Sequence, residues 1–290
     1  MVKKRLIACL LMRDGLIVQS VGFGRYLPIG RPKFPIEFVA RWDVDEIVLL
    51  DMSATPQERG ADLSVLEALS RSSFVPLTVG GGIRSAEDVR RIIAAGADKV
   101  AVNAHAVERP AVITEIADQF GSQCVVVSMD CRREADGTYQ VYTRSGTTRT
   151  GLTASDWAMR VEALGAGEIL VNSIDRDGSK LGYDLELIRC VAGAVRLPVI
   201  ALGGVGHFAD FTPGIVEAGA SAVAAANIFH FVEHSTILAK AQLLRAGVDV
   251  RLDSEASYRD REFSESGRLL MLPRERLMEI EFRRGTRDVL

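Results

Sequence analysis

Eight short apolar runs recur along the chain, each followed by a longer amphipathic stretch, and this alternation limits the fold more than any other feature. They are RLIACLL from Arg5, EIVLLDM from Glu46, FVPLTVGG from Phe74, KVAVNA from Lys99, CVVVSMD from Cys124, EILVNSI from Glu168, LPVIALGG from Leu197 and SAVAAAN from Ser221. The runs are apolar at nearly every position instead of every second one, which is expected of parallel strands covered on both faces. Between them lie helical patterns such as SAEDVRRIIAAGA, in which Ser85 can cap the first turn, Glu87 and Asp88 suit its dipole, and Gly96 can end it. Eight such units over about 250 residues predict a single α/β domain, a closed (β/α)8 TIM barrel at residues 1–253. A C-terminal extension at residues 254–290 follows, polar at first and then apolar enough to dock on the barrel or on a partner, with Pro273 breaking any continuous helix.

Composition excludes several classes of function. A hydrophobic content of 48% supplies a sizeable core. The net charge of −3, without Lys/Arg runs interleaved with aromatics, argues against nucleic acid as a partner. The apolar stretch after Lys3, Lys4 and Arg5 is too short for a signal peptide or a bilayer span, so no membrane partner and a cytoplasmic location are expected. Cys9, Cys124, Cys131 and Cys190 lack metal-ligand spacing; they read as buried, reduced thiols, with no metal site.

The two halves of the chain echo each other. EIVLLD from Glu46 returns as EILVNS from Glu168, VPLTVGGGIRSAED from Val75 as LPVIALGGVGHFAD from Leu197, and GADKVAVN from Gly96 as GASAVAAAN from Gly219. A barrel built from two similar half-barrels follows. This alignment lays the first strand over the fifth and sets Leu11 opposite Asp130, both at the C-terminal rim where such barrels carry their sites. Gly80, Gly81 and Gly82 after the third strand, and Gly203 and Gly204 after the seventh, occupy equivalent rim positions, each followed one strand later by an asparagine, Asn103 or Asn227. Glycine lets backbone N–H groups approach an anion closely. The pair of cradles predicts a phosphorylated small-molecule ligand with a phosphate at each end. The loop SIDRDGSKLGYD adds Asp175, Asp177 and Gly178 to this face, Asp177 reading equally well as a ligand contact or a turn former.

The motifs VPLTVGGGIRSAED, AGADKVAVNA, FGSQCVVVSMD, GAGEILVNSIDRDGSKLGYDLELIR, LPVIALGGVG and IFHF together resemble the cyclase subunit of imidazole glycerol phosphate synthase over residues 5 to 252. The resemblance implies a lyase-type synthase barrel without a cofactor, partnered by a glutaminase subunit. Ammonia from that partner enters at the barrel bottom, crosses the interior and reacts at the rim with a bisphosphorylated ribulosyl intermediate of histidine biosynthesis. Two rim aspartates act there as acid and base, since one group gives a proton while the other takes one.

Carried over by position, the resemblance implies phosphate contacts from Gly81, Gly82, Asn103, Gly178, Gly203, Gly204 and Asn227. It implies an ammonia gate of Arg5, Glu46, Lys99 and Glu168, and a glutaminase-interface role for Asp98. Asp130 stands where the second catalytic aspartate belongs, but Leu11 occupies the place of the first. Asp14 matches an ordinary Asp-Gly turn; Gln19 replaces a family lysine, Leu202 a small rim serine, and Asn172 a threonine. The first rim loop, with GRYLPIG and DEIVLLD, is similar to a divergent branch associated with amidation of bacterial surface-polysaccharide sugars, in which an ATP-using sugar amidotransferase receives the ammonia. Three expectations follow, in this order: ammonia supply for sugar amidation, a histidine-pathway cyclase with an altered acid–base pair, and a non-catalytic phosphate-binding scaffold.

Overall fold

The computed structural model describes residues 3–32, 35, 39, 43–70, 75–230, 235–252, 262–264 and 270. Its strands, in chain order, are β1 (Arg5–Arg13), β2 (Leu16–Val21), β3 (Arg25–Gly30), β4 (Glu46–Asp51), β5 (Leu77–Gly80), β6 (Lys99–Val102), β7 (Val125–Arg133), β8 (Tyr139–Thr143), β9 (Thr148–Thr153), β10 (Glu168–Ser173), β11 (Val199–Leu202) and β12 (Ala222–Ala225). The eight apolar runs pair side by side and all parallel, in the order β1, β4, β5, β6, β7, β10, β11, β12, and β12 returns to β1 to close the ring. This is the predicted (β/α)8 barrel.

Closure sends alternate side chains of each strand to the axis and to the surrounding helices. Two separate apolar clusters result. The outer one joins Leu6, Ala8 and Leu10 of β1 to helix residues such as Trp157, Val161 and Ile116, and the inner one gathers Ile7, Cys9, Val48, Val126, Leu170 and Ile200. Around the ring run α1 (Leu63–Ser70), α2 (Ala86–Ala94), α3 (Ala104–Glu108), α4 (Ala111–Phe120), α5 (Ala154–Ala163), α6 (Leu185–Ala194), α7 (Phe211–Val216) and α8 (Ser235–Arg245). The start of α2 is capped as its sequence predicts: Ser85 Oγ accepts a hydrogen bond from the Asp88 amide, with Glu87 and Asp88 in the first turn.

Two β-hairpins were not anticipated. β1 continues into the antiparallel pair β2–β3, and β7 into β8–β9, so each half-barrel carries a hairpin on its first strand. Both begin at an Asp-Gly turn, Asp14-Gly15 and Asp136-Gly137, and at the first both residues have positive φ (51° and 78°). One expectation about thiols fails: Cys9, Cys124 and Cys131 are buried and free, but Cys190 is exposed, because α6 turns it outward from the face that buries Leu187, Ile188 and Val191. The extension expected at residues 254–290 lies outside the described residues except for Glu262, Phe263, Ser264 and Leu270. There the Phe263 ring packs on the core and lies 5.5 Å from the Arg245 guanidinium. Among the described residues no helix is long and apolar enough to cross a membrane.

Candidate functional site

Because the strand period is two, each inward column reads from bottom to rim along the sequence: Arg5, Ile7, Cys9, Leu11 on β1; Glu46, Val48, Leu50 on β4; Lys99 and Ala101 on β6, then Asn103; Val126, Ser128, Asp130 on β7; Glu168, Leu170, Asn172 on β10. The column on β1 spans about 20 Å along the strand. Its chemistry changes in three steps, charged at the bottom, apolar in the middle and polar at the rim.

At the bottom, the four predicted gate residues meet. Arg5 Nη1 lies 2.8 Å from Glu46 and 3.1 Å from Glu168, and Lys99 Nζ lies 3.1 Å from each of the same two acids. The Thr78 hydroxyl also donates to Glu46 Oε1 at 2.7 Å, a contact the sequence did not suggest. Glu46 is only 2% exposed, so its charge depends on these partners. Burial works against the charge of Arg5, but the carboxylates of Glu168 and Glu46 outweigh it and raise its pKa. Asp98, on the exposed bottom face beside Lys99, accepts the Leu77 amide at 2.8 Å.

Above the ring the interior is apolar: Ile7, Cys9, Val48, Ala101, Val126, Leu170, Ile200, Ala222 and Ala224. Burial, with the nearby acids Asp130 and Asp177, pushes the Cys9 thiol up to about 12, so it stays neutral. Leu11, Leu50, Leu202 and Ala226 extend this lining to the rim. Two of the departures from the family pattern, Leu11 and Leu202, therefore make one apolar collar.

The rim opens into a cavity of about 630 Å³ that contains every predicted phosphate contact together with Asp130 and Asp177. The glycines are required by both conformation and space. Gly82 and Gly204 have φ of 69° and 102°, and a β-carbon at either would strike a carbonyl, that of Arg59 or that of Gly182. Asp130, toward the upper end of β7, lines this cavity. Asn103 Nδ2 donates to its Oδ2 at 2.8 Å and Asn172 Nδ2 to its Oδ1 at 3.2 Å. Burial raises its pKa to about 6, the two amides opposing that rise and Asp177 adding to it. A carboxyl with that midpoint is suited to exchanging protons near neutrality.

Asp177 is already engaged. Its Oδ2 accepts from the Ser20 hydroxyl at 2.6 Å and the Phe23 amide at 2.9 Å, and its carbonyl accepts from Gly22 at 3.0 Å. Asn227 and Gln19 exchange further bonds across the same seam, Asn227 Nδ2 to the Ser20 carbonyl at 2.8 Å and Gln19 Nε2 to the Asn227 carbonyl at 3.2 Å. Together they fasten the β2–β3 hairpin to the loop after β10 and to the segment just past β12. Asp175 holds the Arg133 amide at 2.9 Å. Asp14 lies at the exposed hairpin turn, its carboxylate accepting from Gln57 at 2.9 Å. On the opposite wall, Asp51, 2% exposed, pairs with Arg59 at 2.7 Å; neither was singled out from the sequence, although an acid closing the run EIVLLD was a visible signal.

The chain matches the family model described as "Histidine biosynthesis protein" over residues 5–235. It is 45% identical over 268 residues to a protein of Vibrio vulnificus (strain YJ016) provisionally named imidazole glycerol phosphate synthase subunit hisF2, covering 92% of this chain and 98% of that one. It is 48% identical over 251 residues to the imidazole glycerol phosphate synthase subunit HisF of Alkaliphilus metalliredigens (strain QYMF), covering 87% of this chain and all of that one.

Proposed function

The chain belongs to the histidine biosynthesis protein family, among its HisF-like barrels, and from that premise we propose that it is an ammonia-using synthase subunit. A glutaminase docks at the charged bottom near Asp98 and releases ammonia there. The ammonia crosses the apolar interior as the neutral molecule and meets a bisphosphorylated acceptor held between the Gly81–Gly82 and Gly203–Gly204 cradles. The observation that carries this reading is the column itself: a paired charge ring, an apolar shaft above it, and one buried carboxylate at its upper end. Neutral ammonia enters an apolar lining far more readily than ammonium does, because a bare charge there would be costly. When ammonia adds to an electrophilic carbon of the acceptor, the new nitrogen must lose a proton, and Asp130 is positioned to take it.

Leu11 has no proton to give, so the two-carboxylate couple is reduced to one. With Gln19, Asn172 and Leu202 also on the acceptor side, this favours an acceptor other than the usual histidine-pathway intermediate. The specific form we put forward is ammonia supply for amidation of a surface-polysaccharide sugar, completed by an ATP-using amidotransferase. A second reading, a histidine-pathway cyclase running on Asp130 alone, is favoured by the poise of that carboxyl and by the names of both relatives.

Ammonium-driven turnover of the bisphosphorylated ribulosyl intermediate separates the two, with Leu11→Asp and Asp130→Asn as companions. Sugar amidation predicts a silent natural protein. Turnover that is lost in Asp130→Asn establishes the cyclase reading instead. Failure to form a complex with any glutaminase, together with silence, refutes ammonia use altogether.

A further inference from the structure

β7 lies between β6 and β10, so Asn103, just past the end of β6, and Asn172, in β10, reach the Asp130 carboxylate from opposite sides, one to each oxygen. A side-chain amide has a donor end and an acceptor end, whereas an ionised carboxylate only accepts. Both asparagines turn their NH2 groups toward Asp130 and their oxygens away from it, the arrangement that suits an ionised carboxylate. Asn103 Oδ1 and Asn172 Oδ1 are buried, have no hydrogen-bond partner among the described residues, and belong to residues lining the rim cavity. Space is kept for this arrangement: a β-carbon at Gly203 would lie 2.8 Å from Asn172 Oδ1.

Among the described residues, the two asparagine amides are the groups that favour the charge of Asp130. Titratable groups near it are Cys9 on β1, Tyr26 on β3, Cys131 next to it on β7, Tyr142 opposite it on β8 and Asp177 in the loop after β10. None is a cation, and no ion pair to Asp130 exists among the described residues. A threonine at 172, which the family resemblance leads one to expect, would offer a hydroxyl free to donate or accept. Asparagine gives one of the two N–H groups of its amide to the carboxylate, and neither of them is an acid that can hand its proton to a ligand.

We propose that Asn172 is a positioning residue that, with Asn103, holds Asp130 in its ionised, proton-accepting form and aims it into the cavity. The site is thereby a one-base site, in which the proton the acceptor needs comes from the ligand or water and not from a partner acid. This deepens the functional reading above and rests on it only for the identity of the cavity as the acceptor site; the state of Asp130 is measurable without any ligand.

The test is a carboxyl titration of the full chain by 13C NMR with labelled aspartate, the Asp130 resonance assigned by its disappearance in Asp130→Asn. The natural protein is expected to titrate near 6. In Asn172→Leu, loss of one of two hydrogen bonds to the charged form is expected to raise the midpoint by about one unit, a tenfold change in proton affinity. In the near-isosteric Asn172→Asp, two adjacent carboxyls are expected to titrate in two coupled steps, the upper well above 6. An unchanged single midpoint in either variant overturns the proposal, and the second variant serves if the first does not fold. Failure of the natural protein to bind any glutaminase, together with absent ammonium-driven turnover, would count against the functional reading and leave this titration as it stands.

Discussion

A carboxyl group buried beside another acid, with only amides to support its charge, binds its proton more tightly in the folded chain than in the unfolded one. For Asp130 the folded midpoint is about 6 against an ordinary value of 3.8. Between these values the native state holds the extra proton, so stability from this group is present at acid pH and is lost as the pH rises through about 6. Asp130→Asn removes that penalty. Urea unfolding at pH 4 and pH 7.5 is expected to show the variant gaining on the natural protein by up to about 3 kcal/mol across the interval; a gap that does not change with pH would contradict the assignment. Asp177 makes a different prediction. Asp177→Ala leaves the Ser20 hydroxyl and the Phe23 amide without their acceptor and is expected to cost about 1–3 kcal/mol, with faster amide exchange at Gly22 and Phe23. Its sequence context, an Asp before Gly in a rim loop, left its role evenly divided because the group it binds lies 157 positions away.

At the level of elements, local signals were the most legible. The SAEDV start of α2 names its own cap, and Ser85→Ala is expected to lower stability by about 1 kcal/mol in thermal or chemical unfolding, while Ser85→Asp preserves it. The hairpins β2–β3 and β8–β9 were signalled too, by Asp-Gly turns followed by LIVQSV and YQVYT, but an Asp-Gly pair marks a tight turn in any loop. What settles them as hairpins is pairing onto a strand already fixed in the barrel. Lys240 shows the opposite case: in AKAQLLR it reads as a solvated helix cation, yet it is fully buried, 2.9 Å from Asp45 and 3.4 Å from Asp43. Helical periodicity shows which residues share a face; it does not reveal that acids ahead of β4 wait beneath that face.

Across the whole molecule, the charge ring couples four strands from both half-barrels. Lys99→Leu leaves Glu46, almost fully buried, with Arg5 as its remaining charged partner and is expected to destabilise by about 3 kcal/mol. Lys99→Arg, which keeps the charge, should recover most of this in the same unfolding measurement. The sequence by itself determined the eight strands, their parallel order and the two glycine clusters, because each follows from a short repeat period or from backbone geometry that only glycine tolerates. It also brought Leu11 and Asp130 to equivalent rim positions through the internal repeat. Only the tertiary structure decided that Asn172 shares the Asp130 carboxylate with Asn103, that Asp177 locks the first hairpin, and that Asp51 answers Arg59. Those partners are set by how the strands register when the barrel closes and by how its loops fold back over the rim. Neither leaves a periodic trace along the chain.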